Sequence, residues 1–255
     1  PVRMLRAARF AVRLGFTLHP SCAEPIARMA SLLQQIPAPR LYDEVLKLFF
    51  GGYAVQTFEA LRHHHLFGAL FPETERCLAQ EHDGFPLTFL AHALDRTDRR
   101  IQEGKAVTPY FLFAALLWEP VRTRSEAKLH NGINDLVAYQ EASAEVIERQ
   151  VHQTAFPRSV GQPMREIWGL QPRFSRLTGS RPYRLLTHPR FRAAYDFLLL
   201  RSESGEADPA LADWWTRFQS ADEVERKAMV RDAERGDNST KRRRRRSRHR
   251  KLASS

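Results

Sequence analysis

The chain has 255 residues, of which 43% are hydrophobic, with a net charge of +11 and only two cysteines. This composition is typical of a folded protein with a sizeable core, and it excludes a disulfide-rich scaffold. No apolar run approaches the 18 residues of a membrane-spanning helix, and the sequence shows no secretory start. We therefore expect a cytoplasmic protein with no membrane partner.

The first sixteen residues, PVRMLRAARFAVRLGF, predict a helix over Val2–Leu14 that ends at Gly15. At 100° per residue, four arginines of this helix fall within roughly a third of the helical circle, and apolar residues fill much of the rest. These arginines are Arg3, Arg6, Arg9 and Arg13. Either they form a solvated basic face, or their guanidiniums contact phosphates or bases.

The rest of the sequence is also helical in pattern, because β-type alternation is scarce and no Gly-rich phosphate loop appears. An N-cap is predicted at Ser21 and a turn over Leu66–Pro72. The sequence therefore predicts an all-α fold. The further predicted helices are, in chain order, Cys22–Gln35, Leu41–Phe50, Tyr53–His64, Phe85–Asp95, Thr108–Trp118, Asn134–Ala155, Pro163–Leu170, Arg181–Leu186, Pro189–Arg201, Ala210–Phe218 and Asp222–Arg235.

The positive charge is concentrated near the C-terminus, in the segment KRRRRRSRHRK. Removing its nine lysines and arginines would leave the chain at +2. We predict that this tail is disordered and binds a polyanion, RNA or DNA before a membrane surface, with a merely solubilising role as the alternative. Its basic residues are Lys241, Arg242, Arg243, Arg244, Arg245, Arg246, Arg248, Arg250 and Lys251.

Candidate catalytic and metal-binding groups are few. The three consecutive histidines from His63 point about 100° apart on a helix, so we predict a helix C-terminus there rather than a metal site. Asp95 and Asp98 have i,i+3 spacing, but the arginines beside them favour local charge neutralisation. No nucleophile motif is present, and most aromatic residues are predicted to pack in the core.

The segment RLYDEVLKLF places Arg40, Glu44 and Lys47 on one face of a predicted helix. These residues form surface ion pairs, or a buried charged group that braces the preceding arginine helix; the spacing is compatible with both.

Together, PVRMLRAARFAVRLGF and RLYDEVLKLF resemble the neck of class II nucleotidyltransferases, the family of bacterial poly(A) polymerases and CCA-adding enzymes. In that family a Glu-Asp-x-x-Arg motif leads into a Leu-Arg-x-x-Arg-Phe helix, and Pro1-Val2-Arg3 matches the end of the motif. The segments HHLFGALFPETER, TPYFLFAALLW, MREIWGLQPRF and HPRFRAAYDFLLLRSE resemble the body of the poly(A) polymerases. The resemblance runs from Pro1 to about Phe218.

The resemblance implies transfer of AMP from ATP to RNA 3′ ends, with Mg²⁺ held by carboxylates of a head domain that precedes the neck. Since those carboxylates are not in this chain, we expect a C-terminal portion that is inactive alone. It also implies that Arg3, Arg6 and Arg9 bind the nucleotide, with Arg3 reading the base edge. Arg40 and Glu44 would brace the neck helix. Arg13 and the basic tail are expected to bind RNA.

The predicted division is a neck over residues 1–70, a helical body over 71–220, and a helix followed by the disordered tail over 221–255. Three alternatives stay open: a CCA-adding enzyme, a non-catalytic RNA-binding helical module, and a helical bundle whose basic tail touches a membrane.

Overall fold

The structure is a computed structural model of the chain and describes residues 1–80 and 88–236. Within those two ranges the secondary structure is helical and contains no strand, which confirms the predicted all-α class. The basic tail and the start of the helix predicted from Phe85 lie outside the described residues.

The chain forms two compact units, the first over Pro1–Gly169 and the second from Leu170 onward. The predicted division into neck, body and tail concerns roles and stays a prediction. The helices of the first unit are α1 Val2–Leu14, α2 Pro20–Arg28, α3 Ala38–Phe49, α4 Ala54–His63, α5 Leu66–Leu70, α6 Pro72–Leu78, α7 Phe89–Gln102, α8 Pro109–Leu116, α9 Trp118–His130, α10 Asp135–Val151 and α11 Arg158–Leu170, which ends at the boundary.

The core of the first unit is built around α4, which packs against α1, α3, α5 and α7, while α9 and α10 pair along their lengths. Aromatic rings fill the space between these helices. The ring of Phe113 lies 5.6 Å from that of Tyr42 and 5.2 Å from that of Phe156. Trp168 is fully buried, and its indole N–H donates to the carbonyl of Ala114 at 3.1 Å. Burial of such large rings supplies much of the stability of the unit.

The second unit contains α12 Arg181–Leu186, α13 Phe191–Glu203, α14 Pro209–Ser220 and a helix over 223–236, here α15. Its core centres on Trp215, whose ring meets Phe174 edge-on at 5.1 Å and whose indole N–H donates to the Phe174 carbonyl. The half-buried Trp214 stacks on Phe218. The aromatic residues of this arginine-containing region therefore pack in the core, as predicted for most of them.

Several local predictions differ from the structure. The helix predicted over Cys22–Gln35 is α2 followed by a separate 3₁₀ segment from Ala30. The N-cap predicted at Ser21 is wrong: His19 caps α2, because its Nδ1 accepts the Ser21 N–H at 3.3 Å. The turn predicted over Leu66–Pro72 contains α5, and α6 begins at the last residue of that turn, Pro72.

The largest difference concerns α9, with the sequence WEPVRTRSEAKLH, because the sequence pattern did not predict a helix there. Its internal proline and its charges argue against a buried helix. Pro120 is the third residue of the helix, within the first turn, where a missing N–H breaks no intrahelical bond. Two of its charges, Glu119 and Arg122, are buried as an ion pair. Charged residues usually indicate an exposed helix face, so a buried ion pair gives a core helix the sequence pattern of a surface helix.

Candidate nucleic-acid interface

Helix α1 is held in place by one apolar face. Met4, Leu5 and Ala8 are buried on that face, and the helix packs against α4 and α3. The helix ends as predicted at Gly15, which has the left-handed φ of 67°. The Gly15 N–H donates to Val12 O and the next N–H donates to Ala11 O, the two bonds of a Schellman motif.

The opposite face of α1 carries the four arginines. Arg3, Arg6 and Arg13 are exposed, and Arg9 is half-buried. Arg3 and Arg13 are about 15 Å apart along the helix axis at 1.5 Å per residue. The first acidic residue of the chain is Glu24, and none of these four arginines forms an ion pair with any residue of 1–80 or 88–236. The positive charge of this face is therefore not neutralised by those residues, and it can attract a polyanion.

The same face exposes apolar side chains that the sequence analysis did not single out. The exposed fraction is 40% for Phe10 and 55% for Leu14, and it is 67% for Phe16, which follows the end of the helix. The guanidinium carbon of Arg9 lies 5.0 Å from the centre of the Phe10 ring, within cation–π range. The signal was available, since 100° per residue puts Phe10 about 20° from Arg3 on the wheel.

Helix α3 places the two predicted bracing residues in different environments. Glu44 is buried, and one carboxylate oxygen accepts from Lys47 Nζ at 3.0 Å. Arg40 is exposed and forms no ion pair within the described part of the chain. Because α3 packs against α1, Glu44 belongs to an element that supports the arginine helix. The bracing role of both residues stays a prediction.

Asp98 behaves differently from the local neutralisation predicted for it. Asp95 does pair with Arg99 at 2.8 Å, but Asp98 is buried on α7 and accepts the N–H groups of Ala54 and Val55 at 2.7 and 3.1 Å. Burial raises the pKa of Asp98, while these two donors oppose the rise. Asp98 thus caps the N-terminus of α4, the helix on which α1 rests. Only the tertiary fold pairs an N-terminus with a residue 44 positions away.

The three consecutive histidines lie where α4 ends, as predicted: the helix ends at His63, and His65 adopts a left-handed φ of 58°. Partial burial lowers the pKa of His64, and the neighbouring histidines lower it further. Residues 1–80 and 88–236 contain no group of three or more His, Cys, Asp or Glu side chains that could hold a metal ion. None of the helices in those ranges is long and apolar enough to cross a membrane.

Comparison with known proteins places the chain in a family. The family model described as "Probable RNA and SrmB- binding site of polymerase A" matches residues 15–78, and "Polymerase A arginine-rich C-terminus" matches residues 131–250. The chain is 40% identical to Poly(A) polymerase I of Salmonella typhi over 99% of its own length and 54% of that protein. Poly(A) polymerase I of Haemophilus influenzae is 38% identical over 92% of the chain and 52% of that protein.

A CCA-adding enzyme of Bacillus subtilis is also similar, at 41% identity, but over only 27% of the chain and 17% of that protein. The chain therefore belongs to the bacterial poly(A) polymerase family, which confirms the resemblance noted from the neck and body segments. The chain spans about half the length of the curated relatives it matches.

Proposed function

We propose that this chain is the RNA-binding and base-selecting portion of a polynucleotide adenylyltransferase, which adds AMP from ATP to RNA 3′ ends. The observation that carries the proposal is the α1 face: four arginines without acidic partners among residues 1–80 and 88–236, in a chain 40% identical to a protein named Poly(A) polymerase I. We further propose that the protein works in the cytoplasm, where it meets ATP and RNA 3′ ends.

Within α1 we assign the nucleotide to Arg3, Arg6 and Arg9, and RNA to Arg13. A guanidinium presents a planar fork of donors that suits the ring nitrogens of adenine and the oxygens of phosphate. Arg3 reads the base edge, and Arg40 and Glu44 hold the helix in position. Glu44 is suited to such a role because it is buried on α3, which packs against α1.

The family implies Mg²⁺ and ATP for the complete enzyme. The described residues do not fit a metal site, since they contain no cluster of three or more ligating side chains. They do fit an anionic nucleotide on the α1 face. We therefore assign no catalytic step to these residues, and we propose that the chain alone binds RNA without incorporating AMP.

The test uses the complete enzyme, with Arg3→Ala compared with the unmodified protein for incorporation of each nucleotide. We expect the preference for ATP to fall more than the affinity for RNA falls. If nucleotide choice is unchanged, Arg3 does not read the base. Incorporation of CTP as well as ATP by the unmodified enzyme would instead support a CCA-adding enzyme, the relative matched over a quarter of the chain.

A second test concerns the tail residues Lys241 to Lys251, which lie outside the described residues. Their deletion should weaken RNA binding and flatten its salt dependence by about 0.7 in the log–log slope for each lost phosphate contact. An unchanged slope would show that the tail does not touch RNA.

A further inference from the structure

The exposed face of α1 has two chemically different rows. By the 100° step of the helix, Arg6, Arg9 and Arg13 lie on one side of it, and Phe10 and Leu14 lie on the other, in line with Arg3 at the N-terminal end. Both apolar side chains are at least 40% exposed. A row of cations beside a row of apolar groups is complementary to a ligand with charge on one edge and flat apolar surfaces on the other.

From this arrangement we infer that Phe10 is a stacking platform for a base of single-stranded RNA whose phosphates, when no nucleotide is bound, lie along the arginine row. This inference rests on the proposed function and adds to it the strandedness of the ligand and a residue that binds it. Phe10 has Arg6 one turn before it and Arg13 one turn after it, so a stacked base has a cation on either side. In a duplex the faces of the bases are stacked on one another, so they are not available to stack on Phe10.

The Phe10 ring is also well prepared for stacking. The Arg9 guanidinium, 5.0 Å from the ring centre, limits the orientations of both side chains. The charge of the face decides between ligands: its arginines have no acidic partner among residues 1–80 and 88–236, so the face repels a cationic peptide. An anionic strand with exposed bases satisfies both rows at once.

The experiment measures binding of the full chain to oligo(A) and to an abasic oligonucleotide of equal length. Phe10→Ala should weaken oligo(A) binding by about 5-fold or more, the lower end of the effect of losing one stacked base. Its log–log salt slope should not change, because no charge is removed. Abasic binding should also be unchanged. An equal loss for both ligands would overturn the inference.

Two replacements at the same position separate stacking from apolar contact. Phe10→Trp should keep or improve oligo(A) affinity, and its exposed indole should be quenched when oligo(A) binds, against a background of tryptophans that are buried or half-buried. Phe10→Leu keeps apolar area without a flat ring, and it should bind as weakly as Phe10→Ala. Full affinity in Phe10→Leu would overturn the inference.

The matched control is Val224→Ala, since Val224 is 78% exposed and belongs to the second unit. It should leave oligo(A) affinity unchanged. Vesicles of anionic phospholipid provide the competing ligand: if Phe10→Ala reduces vesicle binding and spares oligo(A), the face is a lipid contact and the inference fails. If the arginine substitutions alone reduce oligo(A) binding, the inference fails and the proposed function stands. If no α1 substitution has an effect, both fail.

Discussion

Two helices of the first unit, α1 and α9, are both rich in arginine and differ in what the arginines touch. In α9, Arg122 contacts Glu119 at 3.0 Å and Glu126 at 2.9 Å. In α1, the four arginines are exposed or half-buried and have no ion pair among residues 1–80 and 88–236. Arginine content alone therefore does not mark a binding surface.

The difference lies in the charges that accompany the arginines. Arg122 has glutamates at i−3 and i+4, so its charge is matched within its own helix. The α9 network also extends across helices, since Arg124 contacts Glu73 of α6 at 2.6 Å. Helix α1 itself contains no acidic residue. An arginine whose charge is left unmatched is available for an anionic ligand, and an arginine with a carboxylate on each side serves the fold.

The variant with the largest expected effect is Arg122→Ala in α9. It leaves the Glu119 carboxylate, 1% exposed, buried without its guanidinium, so the free energy of unfolding should fall by about 3 kcal/mol in urea denaturation. The double variant Glu119→Gln with Arg122→Met removes both charges and should recover much of this loss. A change below about 1 kcal/mol for Arg122→Ala would contradict the structural role that the comparison assigns to α9.

Asp98→Asn tests the support beneath α1. An amide oxygen can accept only one of the two N–H groups of α4 well, so the free energy of unfolding at pH 7 should fall by about 1 kcal/mol.

The effect of Asp98 should also depend on pH. Burial raises the pKa of Asp98, so the native state keeps the proton to higher pH than the unfolded state does. The stability of the unmodified chain relative to Asp98→Asn should therefore decrease as pH rises from about 4 through the raised pKa. Urea denaturation of both proteins across this range provides the measurement. A relative stability that increases with pH would show that the two N–H donors outweigh the burial.

Arg149→Ala removes an exposed member of the paired network. Arg149 of α10 contacts Glu73 at 3.0 Å, but its side chain is 62% exposed. Surface ion pairs contribute little to stability, so we expect the free energy of unfolding to fall by about 0.5 kcal/mol or less. RNA affinity should change only by the small effect of removing one positive charge. If the free energy of unfolding falls as much as it does for Arg122→Ala, the exposure of an arginine in this network does not determine its contribution to stability.

The triple variant Arg3→Gln, Arg6→Gln and Arg13→Gln should affect stability least. These side chains are exposed and unpaired in the described ranges, and glutamine is a good helix former, so unfolding free energy should change by no more than about 0.5 kcal/mol. The log–log salt slope of RNA binding, measured without ATP so that RNA phosphates can also reach the nucleotide-binding arginines, should become shallower by about 2, from about 0.7 for each charge. If the slope equals that of the unmodified chain, α1 does not contact RNA.

The bounds of α1 could be predicted to the residue because local rules act alone there: an amphipathic period, a proline before the first turn and a glycine after the last. The same rules failed at α2, where Ser21 is a good N-cap type but the ring of His19 takes the position. They also failed at α9, because the charged residues of its buried ion pair are typical of an exposed segment. In both cases a particular side-chain contact outweighed residue preference.

The sequence by itself determined the helical class, the arginine stripe of α1 and the membership of a family, because periodicity, charge and motif are properties of neighbouring residues. Only the tertiary structure decided that Asp98 caps α4 and that Glu44 is buried while Arg40 is exposed. These outcomes depend on which helices pack against which. Burial and capping join residues that are far apart in the chain, and no local pattern encodes those distances.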